Sequence, residues 1–136
     1  MKIIIPGRPI AKSRPRFARR GKFVTTYSDQ ETEEGKVLWE IRQQRPEKRF
    51  RGSISVDLWF GMPIPKSTSK KQRERMKKGF VRHIKKPDID NLIKFYLDVM
   101  NDEVFDDDKQ IVVISAEKEY SDNPRTEIII EGQDIT

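Results

Sequence analysis

Ile89, Leu92, Ile93, Tyr96, Leu97 and Met100 recur at the i, i+3, i+4, i+7 spacing that an α-helix gathers into one apolar face. Pro87 stands just ahead of them and resists continuation upstream, so the helix starts near Asp88. Such a face has to be covered. Ile54, Val56, Leu58 and Phe60 alternate with Ser53, Ser55, Asp57 and Trp59, the period of a half-buried strand able to cover it. At about 100° per residue, Asp90, Asn91, Lys94 and Asp98 fall together on the flank of the same helix.

The remaining elements follow from similar signals. Ile3-Ile4-Ile5 is a short strand ended by Pro6-Gly7. The basic stretch from Arg8 to Val24 carries prolines that forbid a helix, and Arg20-Gly21 between Phe17 and Phe23 reads as the turn of a basic hairpin reaching out from the body. Ser28 with Glu31 forms a capping box for a helix from about Asp29 to Gln44, with Val37, Leu38 and Ile41 inward and Pro46 as its stop. Lys70 to Lys78 is a short helix with almost no apolar face, stopped by Gly79. Two strands, Gln110 to Tyr120 and Glu127 to Glu131, flank a turn at Asp122-Asn123-Pro124. Trp39 and Trp59 are expected in the core. The fold class is α+β: a single small domain over residues 1–136, a mixed or antiparallel sheet packed against two main helices, with basic loops.

Charge is divided along the chain. The first 86 residues hold 24 Lys+Arg against 8 Asp+Glu, and the last 50 hold 4 against 14. A basic half can grip a polyanion while an acidic half does metal chemistry on it. The chain has no cysteine and one histidine, His83, which excludes disulfides, thiolate ligands, multi-histidine metal sites and thiol catalysis. Hard oxygen ligands remain. The apolar run at the N-terminus is far too short for a signal peptide and no stretch is long enough to span a membrane, so a cytoplasmic location is expected.

The chemistry concentrates in Asp88-Ile89-Asp90-Asn91-Leu92, Lys94 and the triple acid Asp106-Asp107-Asp108. Asp88, after Pro87, is an N-cap or first-turn residue able to swing toward Asp90, and Asp108, immediately before a core strand and so on a rigid element, is suited to supply a third carboxylate. Three carboxylates suit Mg²⁺, with Mn²⁺ as a substitute, and Lys94 is placed to stabilise charge on a phosphoryl oxygen or to orient an attacking water. Taken singly, each residue also has an ordinary reading: Asp88 as a cap, Asp90 and Lys94 as a surface pair, the triple acid as a solvated turn. The acidic run lacks the glycine and the terminal glutamate of an EF-hand loop.

Lys86-Pro87-Asp88-Ile89-Asp90-Asn91-Leu92-Ile93-Lys94, then Leu97-Asp98, then Asp107-Asp108-Lys109-Gln110-Ile111-Val112, closely resembles the RusA-type Holliday junction resolvases. The likeness is strongest over about residues 84 to 120 and looser over Pro9 to Phe17. By resemblance Asp88, Asp90 and Asp108 match that family's metal-binding aspartates and Lys94 its essential lysine. The resemblance implies a Mg²⁺-dependent homodimer that cuts four-way DNA junctions by paired symmetric nicks, leaving ends a ligase can seal, in recombination and repair.

Phosphate neutralisation supplies most non-specific DNA affinity, which makes Lys12, Arg14, Arg16, Arg19, Arg20 and Lys22, together with Lys70, Lys71 and Lys86, the expected DNA-binding residues. Phe17 and Phe80 lie among basic residues, where core packing and stacking on unpaired bases are both open. His83 is assigned no chemistry. Competing readings are a non-catalytic DNA-binding module with an acidic recruiting face, and a nuclease acting on other branched DNA or structured RNA.

Overall fold

A computed structural model of the chain describes residues 1–13, 16–20, 23–27 and 31–132, the segments 16–20 and 23–27 as backbone alone. In chain order the elements are β1 (Lys2–Pro6), β2 (Arg16–Arg20), β3 (Phe23–Tyr27), α1 (Glu31–Gln44), β4 (Ile54–Pro63), α2 (Lys70–Lys77), α3 (Ile89–Met100), β5 (Ile111–Ser121) and β6 (Arg125–Gly132), with a 3-10 turn at Asp108–Gln110 leading into β5. This is the expected α+β layout. Arg16 pairs with Tyr27 and Arg20 with Phe23 in a separate two-stranded antiparallel sheet, the basic hairpin that the sequence announced. The expected capping residue Ser28 and the expected DNA-binding residues Arg14 and Lys22 lie outside the described residues, as do the side chains of Phe17, Arg16, Arg19 and Arg20.

The main sheet runs β1-β6-β4-β5. Although β5 and β6 are separated by three residues, they do not pair; β4 lies between them, antiparallel to β6 and parallel to β5. Burial explains the order. Ile54, Val56, Leu58, Phe60 and Met62 of β4 are essentially buried, and so long an apolar row is satisfied only in the middle of a sheet. β5 takes the edge instead, so Asp108 precedes an edge strand and not the core strand that its apolar sequence suggested.

On the helix side, Val37 and Ile41 of α1 and Leu92, Phe95, Tyr96 and Met100 of α3 are buried against the sheet. Phe95 draws the buried centre of α3 toward Leu92, while Ile93 and Leu97 are half-buried. Asp90, Lys94 and Asp98 are therefore turned away from the core rather than set on its flank. The Tyr96 hydroxyl accepts from the Ile10 backbone N–H at 2.9 Å and pairs with the buried Thr126 hydroxyl at 3.0 Å, tying the segment after β1 to the core. Trp39 departs from expectation: it is 60% exposed, because it falls off the Val37/Ile41 stripe. Trp59 is also outside the core, on the opposite sheet face with the Arg125 guanidinium 4.7 Å above its ring.

Candidate metal and DNA site

Asp88 is the N-cap of α3, with extended backbone at φ −69° and ψ 142°, and its side chain makes no capping hydrogen bond. Its carbonyl accepts the first helical bond from Leu92 at 3.2 Å, so the backbone does the cap's work and the exposed carboxylate stays available. Asp90 in the first turn and Lys94 one turn later are both exposed on the same side of α3. The approach to Asp88 is fixed from β5, where the Lys118 ammonium donates to the carbonyls of Lys85 at 2.8 Å and Pro87 at 2.9 Å.

The triple acid is three residues with three fates. Asp106 pairs with Arg49 at 3.2 Å, and the same guanidinium holds Asp102 at 2.7 Å. Asp107 caps the 3-10 turn: it accepts from the Lys109 N–H at 2.9 Å while its own N–H donates to Gln110 Oε1 at 3.0 Å. Gln110 in turn donates to the carbonyls of Phe50 and Gly52, anchoring the turn to the loop ahead of β4. Asp108 has an exposed carboxylate that makes no ion pair among the described residues, and its N–H donates to Asn101 Oδ1 at 3.2 Å. The Lys109 N–H holds the Asp107 carboxyl below the usual range. Asp108 is pushed up, first by the hydrogen bond it shares with Asp107 and further by the charges of Asp107 and Asp98.

Asp98 was legible on the helical wheel but its partner was not. It pairs with Lys12 at 3.2 Å, and Lys12 also approaches Glu34 at 3.6 Å, while the Lys12 backbone N–H donates to the Asn91 carbonyl at 2.9 Å. A phosphate at Lys12 has to compete with two carboxylates. Asp90 and Asp98 stand two turns apart on α3, about 12 Å along its axis, and Asp98 is the one whose charge reaches Asp108. Among the described residues no three carboxylate or imidazole groups gather closely enough to hold one ion. The donor chemistry nevertheless suits a hard divalent cation: Asp88, Asp90 and Asp108 offer oxygens only and are exposed.

Three arginines that the sequence did not single out hold the acidic loop in place. Glu103 is bonded by Arg42 at 2.8 Å and by Arg45, and Arg49 takes Asp102 and Asp106, so the end of α1 and the loop behind it clamp residues 102–106. A helical Arg at 42 and another just past the helix end at 45, facing a later acidic loop, make a tertiary match with no local signature.

α2 is the polar helix the sequence called for, with no buried residue, an N-cap at Ser69 accepting from Gln72, and Gly79 at φ +82° ending it. Arg73 at 3.5 Å and Lys77 at 2.9 Å fix it to Asp122 in the turn between β5 and β6, which leaves Lys70, Lys71 and Lys78 turned to solvent. Lys86 is exposed beside Asp88, and Phe80 is 71% exposed rather than packed in the core. His83 is buried, edge-on to Tyr120 at 5.0 Å, and burial lowers its pKa, with the Lys118 charge adding to the effect.

The family model described as endodeoxyribonuclease RusA matches residues 6–131, from the end of β1 to the end of β6. This chain belongs to the RusA endodeoxyribonuclease family. The matched span carries every exposed carboxylate described above, together with Lys94 and α2. The chain is also 36% identical over 134 residues to the uncharacterized protein YqaN of Bacillus subtilis (strain 168), covering 96% of this chain and 94% of that protein. Membership in the RusA family makes DNA phosphodiester hydrolysis the chemistry against which the site is read, and no helix among the described residues is long and apolar enough to cross a membrane.

Proposed function

We propose that the chain is a Mg²⁺-dependent endodeoxyribonuclease that resolves four-way DNA junctions by paired symmetric nicks, acting as a homodimer in recombination and repair. The observation that carries this reading is the set of exposed carboxylates not spent on capping or ion pairs, Asp88, Asp90 and Asp108, in a chain of the RusA family. Those three would hold the ion, for which Mn²⁺ can substitute. When bound, the ion supplies Lewis acidity to a phosphoryl oxygen and lowers the pKa of a water.

The chain's own residues do the rest. Lys94, one turn after Asp90, balances negative charge growing on the non-bridging oxygens as water adds to phosphorus and the bond to the 3′ oxygen breaks, giving a 3′ hydroxyl and a 5′ phosphate. Lys70, Lys71 and Lys86, with Lys12, Arg14, Arg16, Arg19, Arg20 and Lys22 of the N-terminal segment, bind backbone phosphates. Two-fold substrate symmetry calls for two sites, one from each copy.

The deciding experiment incubates the protein with a four-way junction and Mg²⁺, beside a linear duplex, a flap and structured RNA of equal length. Preferential nicking of the junction at symmetric positions, lost in Asp90→Asn while binding persists, is the expected result. Equal cutting of all substrates removes the junction specificity, and unchanged cutting by Asp90→Asn removes the site.

A further inference from the structure

An open groove of about 1050 Å³ runs between α1 and the segment that follows β1, and reaches Lys86 and Pro87. Its buried side is apolar, built from Ile5, Val37 and Tyr96. The wall facing α1 is held by three hydrogen bonds from its backbone. The Gly7 N–H donates to the Pro124 carbonyl at 3.1 Å, the Ile10 N–H to the Tyr96 hydroxyl at 2.9 Å and the Lys12 N–H to the Asn91 carbonyl at 2.9 Å. A groove anchored in this way is preformed. Trp39 stands at its rim, 60% exposed. Gly35, one turn earlier on α1, also lines the groove, and a methyl group in its place would meet nothing within 4 Å. The indole is thus not packed down on that turn, and open space remains beside it.

Charge marks the rim. Arg8, Lys36 and Lys86 line the groove, are exposed, and make no ion pair among the described residues. Glu33 and Glu40 line it as well, which disfavours a simple anion as occupant and offers acceptors to the amino groups of a nucleobase. An apolar peptide would leave the three cations without partners. A nucleotide uses every part: its base lies on the indole over apolar residues, and its phosphates meet the cations. Bases inside a duplex are stacked and out of reach, so only an unpaired one can enter. Pro87 lines the groove, and Asp88, next in the chain, is the first proposed metal ligand. The Lys118 bond to the Pro87 carbonyl at 2.9 Å fixes this end of the groove beside it.

We propose that the groove holds one unpaired nucleobase of the branched substrate, stacked on Trp39, with its flanking phosphates on Arg8, Lys36 and Lys86. A strand leaving the groove past Lys86 comes next to Asp88, so the base held at Trp39 selects which phosphate is presented to the metal site. DNA with an interrupted duplex is favoured over a continuous one for the same reason.

The inference rests on the nuclease reading for the nature of its ligand, and its test measures binding in EDTA, apart from cleavage. Anisotropy titration of a labelled four-way junction is expected to show about tenfold weaker binding by Trp39→Ala, most of it recovered by Trp39→Phe, with affinity for a linear duplex unchanged by either. Junctions carrying a single abasic position at each nucleotide around the branch locate the base: one position is expected to weaken the parent about tenfold and to leave Trp39→Ala unaffected. Should Trp39→Ala fail to fold, Arg8→Gln combined with Lys36→Gln decides it, with junction affinity expected to fall and duplex affinity to hold. Equal losses on junction and duplex, or no abasic position that separates the parent from Trp39→Ala, overturn the proposal. So does a Trp39→Ala that binds DNA as the parent does but sediments differently, which would give the groove to a second copy. A protein that shows the abasic effect but cuts no junction in Mg²⁺ would remove the nuclease reading and leave the base site standing.

Discussion

The Lys118 ammonium on β5 donates to the Pro87 carbonyl at 2.9 Å, one residue before the uncapped Asp88 carboxylate. A strand side chain thus sets the entry into α3, and with it the position of the first proposed metal ligand. Lys118→Met keeps the stem and removes the ammonium, leaving two carbonyls to water. The expected outcome is a drop in junction cleavage of about tenfold or more, since small misplacements of reacting groups are costly, with thermal unfolding little changed. Single-turnover cleavage beside a melting curve measures both.

Lys94→Ala is expected to reduce cleavage by about 100- to 1000-fold, the usual loss on removing one group that stabilises transition-state charge. Because Lys94 is exposed, folding and junction affinity should be nearly unchanged. A comparable loss of affinity would mean that Lys94 holds DNA instead of assisting the chemistry.

Tyr96→Phe removes the hydroxyl shared by the Ile10 N–H and the fully buried Thr126 hydroxyl. Stranding buried polar partners costs about 1 to 3 kcal/mol. Denaturant unfolding should show that loss with an unchanged slope, and Tyr96→Phe combined with Thr126→Val should recover part of it.

Glu103 lies between Arg42 and Arg45, and its carboxyl is held below the ordinary range, chiefly by the Arg42 hydrogen bond. A depressed carboxylate contributes stability above its unfolded value of about 4.3 and loses it as pH falls through the lower folded value. Melting temperature is therefore expected to fall below about pH 4.3 in the parent. Glu103→Gln should start lower at neutral pH by roughly 1 kcal/mol, given solvent screening, and fall less steeply in acid.

Replacing Lys70 and Lys71 together by Gln is expected to lower the dependence of log affinity on log salt by about 2, close to one unit for each phosphate that is no longer neutralised. Filter binding to a junction across a salt series measures it. An unchanged slope would place α2 away from the DNA.

Much of this was written locally. The apolar spacing from Ile89 to Met100, the alternation from Ile54 to Phe60 and the caps at Ser69 and Gly79 each fix one element through neighbours a few residues away, and the motif from Lys86 to Asp108 names the family. Trp39 was misplaced because a hydrophobic residue says nothing of which helical face it occupies when the stripe beside it is short. The fate of Asp106 was hidden because Arg49 reaches it across a long stretch of chain, whereas the capping of the 3-10 turn by Asp107 is a local pattern with Gln110 three residues on.

By itself the sequence determined which segments are helix and strand, that carboxylates and a lysine gather around the start of α3, and that charge divides along the chain, because helical and strand periods and charge are properties of short stretches. Only the tertiary structure decided that β4 separates β5 from β6, that Asp98 carries Lys12, and that Lys118 fixes the approach to Asp88. Those outcomes depend on how buried area is shared among elements far apart in the chain, and no local pattern encodes that competition.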